Sequence, residues 1–359
     1  MPSVTIYGVF SQRNAIPIVC LELAHALAKR RSISLFPIDG RPVAALHAES
    51  LSDLFVDRPD PTTLAIVHGF PGQYLSQTSK HRFTIGGFVA DGFPVGALYA
   101  HRAKVQTSAA YFPSEWSRRA YVASGYDRPT AIVPHGVSPE FTPRRKARTL
   151  GDRFEIAFNC HSIEVYNRKA VLEAFRAVDR FEGRVRLTVK THPGHEAIAR
   201  GFLKTSGASP ENVVFDFRAN LSVPELCAWV HGFDAVLAPS RCEGAGMVGK
   251  EVLAAGVPLI ATFDTGHADY LPAPGAVKVE TSRPWVSAQA FGTSRLEARY
   301  PDVTVDAVEA AISRAIDDYP ALERAARAGA ETFATSHQWD GFAANLDRFL
   351  VSVATGRTK

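Results

Sequence analysis

Cysteine is scarce in this chain: four residues, Cys20, Cys160, Cys227 and Cys242, lie scattered through 359 positions with no C-x-x-C pair among them. That excludes a disulfide framework and a zinc knuckle, and leaves buried thiols in a reducing compartment as the expectation. Long hydrophobic runs are missing too. No stretch reaches the roughly 18 apolar residues of a membrane-spanning helix. The chain enters Ser3-Val4-Thr5-Ile6-Tyr7 with no basic leader ahead of an apolar run, so a cytoplasmic protein is expected. Charge is not in excess. Charged residues make up 21% and hydrophobic ones 46%, ordinary globular values that exclude a disordered or fibrous chain. The formal net charge of +4 permits peripheral attraction to an anionic membrane face or to nucleic acid without demanding either. The basic runs Lys29-Arg30-Arg31 and Arg144-Arg145-Lys146 read as solvated helix ends and linker.

What is present is alternation. The length suits two domains, each with its own core. A β-α-β opening runs through Val4–Phe10, Pro17–Lys29 and Ser32–Ile38, the helix marked by apolar residues at helical spacing and closed by basic ones. Further strands are expected at Leu64–His68, Thr84–Val89, Lys104–Ala109 and Ala131–Val133, which together make a doubly wound parallel sheet. The proline-punctuated segment from Gly136 to Lys146 reads as an interdomain linker. Alternation then resumes, with strands expected at Phe154–Asn159, Arg186–Lys190, Val213–Phe217, Ala235–Ala238 and Pro258–Thr262. Helices at Val305–Asp317, Ala321–Phe333 and Trp339–Val353 end the chain, the last crossing back onto the first domain. The expected division is 1–143 with about 337–359, and 150–336.

The most informative stretch lies between the strands ending at Ala238 and starting near Pro258. There Glu243-Gly244-Ala245-Gly246 precedes a helix expected to begin near Met247 and to carry Glu251. Small residues at 244 to 246 let the backbone approach a ligand, and a helix start aims N–H groups at whatever sits before it, which suits a diphosphate. Carboxylates accept hydrogen bonds from sugar hydroxyls, so of Glu243 and Glu251 one can hold a hexose and the other a ribose. Gly244-x4-Gly249-Lys250 has the form of a Walker A loop, but Glu251 stands where Ser or Thr must meet magnesium, and the loop comes late in its domain.

These residues resemble the Glu-x7-Glu signature of the group 1 glycosyltransferases (glycosyltransferase family 4), retaining enzymes that use nucleotide sugars. The segments Val133-Pro134-His135-Gly136-Val137, Pro113-Ser114-Glu115-Trp116-Ser117 and Asn167-Arg168-Lys169-Ala170 are similar to other parts of that family, in the same order, so the likeness spans about 105 to 272. It implies the GT-B architecture: two Rossmann-like, doubly wound parallel-sheet α/β domains facing a central cleft. It further implies that Glu243 contacts the donor sugar, that Glu251 grips the ribose, and that Lys169 binds phosphate. Gly244, Ala245, Gly246, Met247 and Val248 complete the donor loop. The implied activity is retaining transfer of a hexose from a nucleotide diphosphate sugar, with the donor diphosphate assisting proton removal from the acceptor.

No Asp-x-Asp occurs anywhere, so neither a metal nor another cofactor is expected, and Lys169 with helix N–H groups takes over charge stabilisation. The chain departs from the family pattern in two places. Ser11-Gln12-Arg13-Asn14 replaces a Gly-Gly loop, which makes Arg13 and Asn14 the candidates for acceptor or phosphate contacts. Asn159-Cys160-His161-Ser162 replaces a glycine-arginine phosphate site, and Arg168 is the nearest substitute.

His68 sits at a strand's carboxyl end and is a candidate for the reaction centre. His135 is expected to brace the linker. His192 and His195 lack a third ligand for a metal, and Trp116 with Arg118 and Arg119 is expected to pack as an ordinary helix. A nucleotide-sugar epimerase or phosphorylase, and a non-catalytic nucleotide-sugar-binding protein, are the competing readings. Glycan, lipid, protein, small metabolite and modified nucleic-acid base all stay open as acceptor.

Overall fold

The computed structural model describes residues 3–10, 15–38, 49–69, 71–72, 78–90, 92–144, 146–160, 168–218, 221–287 and 298–357. They fall into two compact units, 1–136 with 337–359, and 137–336.

In the first unit, strands β1 (Val4–Gly8), β2 (Ile33–Pro37), β3 (Leu64–His68), β4 (Thr84–Gly87), β5 (Ala109–Phe112) and β6 (Thr130–Ile132) form one sheet in the order β2-β1-β3-β4-β5-β6. Every pairing is parallel. Burial on both faces explains why β1, β3, β4 and β5 are enclosed at every position. Helices α1 (Ala15–Ala28), α2 (Ala97–Gln106) and α3 (Glu115–Ala123) connect them, and Ser114 caps α3 by accepting the Ser117 N–H. The C-terminal helix, Trp339–Ala354, packs on α1.

In the second unit, β7 (Phe154–Asn159), β8 (Val185–Lys190), β9 (Val213–Asp216), β10 (Ala235–Ala238), β11 (Leu259–Thr262) and β12 (Ala276–Val279) form a parallel sheet in the order β12-β11-β10-β7-β8-β9. That is the doubly wound nucleotide-binding order, with the chain's winding reversing between β7 and β10. Helices α4 (Arg168–Asp179), α5 (Glu196–Ser206), α6 (Val223–His231), α7 (Met247–Ala254), α8 (Val305–Asp317) and α9 (Tyr319–Ser336) complete the unit. Local chemistry sets their limits. Ser222 and Glu225 form a reciprocal capping box at α6, and Thr304 caps α8. A separate antiparallel pair is formed by β13 (Ser282–Ser287) and β14 (Arg299–Asp302), and neither this pair nor β12 has a counterpart among the expected elements.

Three expectations need correction. Lys104–Ala109 is not a strand: α2 runs to Gln106 and β5 starts at Ala109. Ala97 to Lys104 is rich in good helix formers, and their summed propensity carries the helix through Val105. The segment after Gly136 is not a free linker, because Val137 and Phe141 are buried in the second unit's core. The basic runs are not wholly solvated either. Arg144 is buried with its Nη2 on the Phe233 carbonyl, and Arg31 is buried in an ion pair with Asp347 on the C-terminal helix. All four cysteines are free and buried. Among the described residues no helix is long and apolar enough to cross a membrane.

Candidate functional site

From β7 the chain winds towards β8, and from β10 towards β11, in opposite directions along the second sheet. Strand ends at such a reversal flank the crevice in which open α/β sheets take ligands. From β7 the chain reaches Lys169 in the first turn of α4, and from β10 it reaches the 239–246 loop and α7. Residues far apart in sequence thus share one edge of one sheet. For Arg168 only the backbone position, at the start of α4, is described, and Arg13 and Asn14 lie outside the described residues.

The loop before α7 is held by the segment that follows β11. The Thr262 hydroxyl donates to the Ser240 carbonyl (2.6 Å), the Gly266 N–H to the Glu243 carbonyl (2.6 Å), and the Glu243 N–H to the Thr265 hydroxyl (3.2 Å). A side chain at Gly266 would place its Cβ 2.5 Å from that Glu243 carbonyl oxygen, so the two segments meet backbone to backbone. Gly246 then turns into α7 with φ +68°, its carbonyl accepting the Tyr270 hydroxyl at 2.8 Å. Its N–H donates to Glu243 Oε1 at 3.1 Å, so the Glu243 carboxylate braces the turn. The N-cap residue, Gly246, has no side chain with which to cap the first N–H groups of α7.

Gly246→Ala should therefore be costly. A Cβ there would lie 2.7 Å from the Tyr270 ring, and the backbone is left-handed. The expected loss is about 1–3 kcal/mol in urea unfolding; an unchanged midpoint would show that the turn tolerates a side chain.

Around this turn, beside the expected Glu251, sit two groups with no expected role, Lys250 and His267. Lys250 is 2% exposed, and its ammonium stands 5.4 Å from the centroid of the Tyr270 ring. Burial pushes its pKa down to about 8 against the pull of Asp269 and Glu243. The His267 Nδ1–H donates to the Thr262 carbonyl at 3.0 Å, and burial holds the ring below the usual histidine range. Glu251, in the second turn of α7, is half-buried, and burial pushes the pKa of its carboxyl up to about 8. That carboxyl is therefore mostly protonated at neutral pH, with no ligand present.

Lys169 is not idle. Its ammonium donates to both carboxylate oxygens of Asp302, at 2.6 and 2.7 Å. The neighbouring residues of β14 reach the donor loop, since Arg241 Nε donates to the Pro301 carbonyl (3.2 Å) and its guanidinium lies 5.6 Å from the Tyr300 ring centroid. One strand thus touches both Lys169 and the residue two before Glu243.

In the first unit His68 ends β3 at that sheet's own winding reversal, between β1 and β3. It is 1% exposed, its Nδ1 lies 3.0 Å from the Tyr111 hydroxyl, and burial pushes its pKa down to about 4, so it is neutral. His135 packs between His68 and the Trp339 and Phe342 rings of the C-terminal helix. Trp116 is buried and Arg118 pairs with Glu115, as in an ordinary packed helix. His192 and His195 lie side by side, and among the described residues no three His, Cys, Asp or Glu gather as a metal site.

Two parallel six-stranded Rossmann-like sheets with a helix-entrance loop at the second reversal define the GT-B architecture, and comparison with solved structures agrees. Sucrose-phosphate synthase from Thermosynechococcus elongatus superposes with TM-score 0.68 at 14% identity, covering 99% of this chain and 100% of that one. HepE of Anabaena, solved with UDP and glucose, gives 0.69 at 13% identity over 98% and 100%. A glycosyltransferase from Rickettsia africae gives 0.71 at 10% identity over 98% of each chain. At such identities these likenesses establish the fold. The family is set by sequence: residues 133–346 match the family 4 glycosyltransferases in conflict systems, and the chain belongs to that family. No curated protein matches it.

Proposed function

We propose that this enzyme transfers a hexose, with retention of anomeric configuration and without a metal ion, from a nucleotide diphosphate sugar seated at the entrance of α7. The observation that carries this is the entrance itself: a left-handed glycine, with no side chain to cap the helix N–H groups, leads into α7 between one carboxylate on the loop, Glu243, and another in the second turn, Glu251. Such N–H groups suit a diphosphate, and the flanking acids suit sugar and ribose hydroxyls. HepE, of the same fold, was solved with UDP and glucose, which makes a UDP-sugar the first donor to try.

In the proposed reaction the bond from the anomeric carbon to the diphosphate oxygen breaks, and a bond to the acceptor oxygen forms on the same face. The acceptor's proton passes to the departing diphosphate oxygen. No nucleophilic carboxylate is needed. Lys169 and the α7 amides oppose the charge that grows on the leaving group, which is where preorganised donors act most strongly. With no Asp-x-Asp in the chain, these groups take the place of a chelated cation. His68, neutral at the reversal of the first sheet, is assigned to the acceptor side.

Thermal shift against UDP-, GDP-, ADP- and TDP-hexoses identifies the donor, because ligand bound to the folded state raises the melting temperature. Anomeric couplings of the product made from that donor, read by NMR, test retention; an inverted product refutes the mechanism. In the same assay His68→Asn is expected to keep nucleotide affinity and slow transfer, and unchanged transfer removes it from the reaction.

A further inference from the structure

We infer that Asp302 is a built-in rival of the donor diphosphate for Lys169 and thereby sets how tightly the donor is held; the inference rests on Lys169 being the phosphate cation proposed above. The pair is asymmetric. Asp302 lies on a paired strand, opposite Ser282, and its side chain is 15% exposed, whereas that of Lys169 is 41% exposed on a flexible four-carbon stem. The carboxylate is fixed and the ammonium can swing. Both carboxylate oxygens lie within 2.7 Å of Nζ, so Asp302 takes the ammonium as a phosphate would, with two acceptors at once. An ammonium has three protons, and at most one is left for a ligand. A diphosphate with two or more negative charges must either accept that one proton beside a like-charged carboxylate or draw Nζ away from it.

Asp302 also lies near the buried Arg241 guanidinium and favours its charged form, but Lys169 is the cation that its two oxygens bond. β14 is already paired to β13 through its backbone and tied to the donor loop by the Arg241 bond to the Pro301 carbonyl. A structural clamp made by Asp302 would be redundant with those contacts. What Asp302 adds is negative charge, placed against the cation that a negatively charged substrate needs.

The test measures calorimetric affinity for UDP, GDP, ADP and TDP, carrying forward whichever binds tightest. Asp302→Asn removes the charge and keeps the shape, and is expected to tighten nucleotide binding about tenfold, a range typical of removing one competing charge near a surface. Asp302→Glu keeps a rival carboxylate and should stay near the wild-type value. In a Lys169→Met background, the Asp302→Asn gain should shrink to less than about twofold, since the competition runs through the ammonium. Thermal melting confirms that each variant is folded.

Asp302→Asn binding nucleotide no tighter, or more weakly, while Lys169→Met weakens binding, overturns the rivalry and leaves the phosphate role of Lys169 standing. A full Asp302→Asn gain that persists without Lys169 also overturns it, in favour of plain charge repulsion. If neither Lys169→Met nor Asp302→Asn changes nucleotide affinity, or none of the four nucleotides binds the wild type, the donor-site assignment fails and takes this inference with it.

Discussion

Lys169→Met is expected to lower turnover by about 10²–10³-fold while weakening donor binding far less, as removal of a single preorganised donor to a developing anion does. The structure explains why the two should part. In the free protein the ammonium already holds an anion, the Asp302 carboxylate, at 2.6 and 2.7 Å. Binding the donor exchanges one anion for another, so the net ground-state gain is small. As the glycosidic bond breaks, charge builds on the diphosphate and not on Asp302, and the balance shifts towards the transition state. Contacts that strengthen in this way appear in kcat, whereas contacts equal in both states appear only in KM. Steady-state kinetics with the donor found by thermal shift separates them. Equal losses in kcat and donor affinity would count against this role. Because removing the lysine strands a carboxylate that is 15% exposed, the double variant Lys169→Met with Asp302→Asn serves as control for folding.

How much of this was legible beforehand depends on sequence distance. The turn before α7 was legible because its cues are local: small residues, a helix start and two acids within nine positions, bounded by apolar strands. Five strands of the second unit's sheet were legible for the same reason, being short apolar runs separated by helical patterns, whereas the edge strand β12 has no counterpart among the expected strands. Asp302 was not, since it stands 133 residues from Lys169 and nothing in Tyr300-Pro301-Asp302 announces a partner. β13 carries Pro284, which reads as a strand breaker and is tolerated because this pair lies outside the main sheets. Lys250 reads in the sequence only as the lysine of a failed phosphate loop; its burial against Tyr270 depends on a segment twenty residues on. Arg144 looked like a solvated linker charge because no local pattern shows that its guanidinium reaches the Phe233 carbonyl. Single-residue partners across the fold leave no periodic trace, and periodicity is what a lone sequence offers.

The second large effect is expected at Glu251. Replacing it with Ala should weaken nucleotide binding by about 10- to 100-fold in calorimetry, the loss of one or two hydrogen bonds to ribose hydroxyls at about 1–1.5 kcal/mol each. Unchanged affinity would remove Glu251 from the ribose. Its titration supplies an independent check. Burial raises the folded-state pKa to about 8, whereas the unfolded chain keeps an ordinary carboxyl. Below about pH 4 both states are protonated and the group has no effect on stability. As pH rises towards 8 the unfolded state ionises first and binds fewer protons, so the folded state loses ground by at most about 1.4 kcal/mol per pH unit. Wild-type stability should therefore fall between about pH 5 and 8 relative to Glu251→Gln, whose amide does not titrate. The same carboxyl links pH to ligand. If ribose hydroxyls prefer the ionised form, which accepts two hydrogen bonds and donates none, nucleotide binding must expel its proton. Affinity should then rise with pH up to about 8 in the wild type, with proton release visible as buffer-dependent heats, and stay flat in Glu251→Gln. A wild type as flat as the Gln variant would place the ribose elsewhere, even if the stability profile behaved as expected.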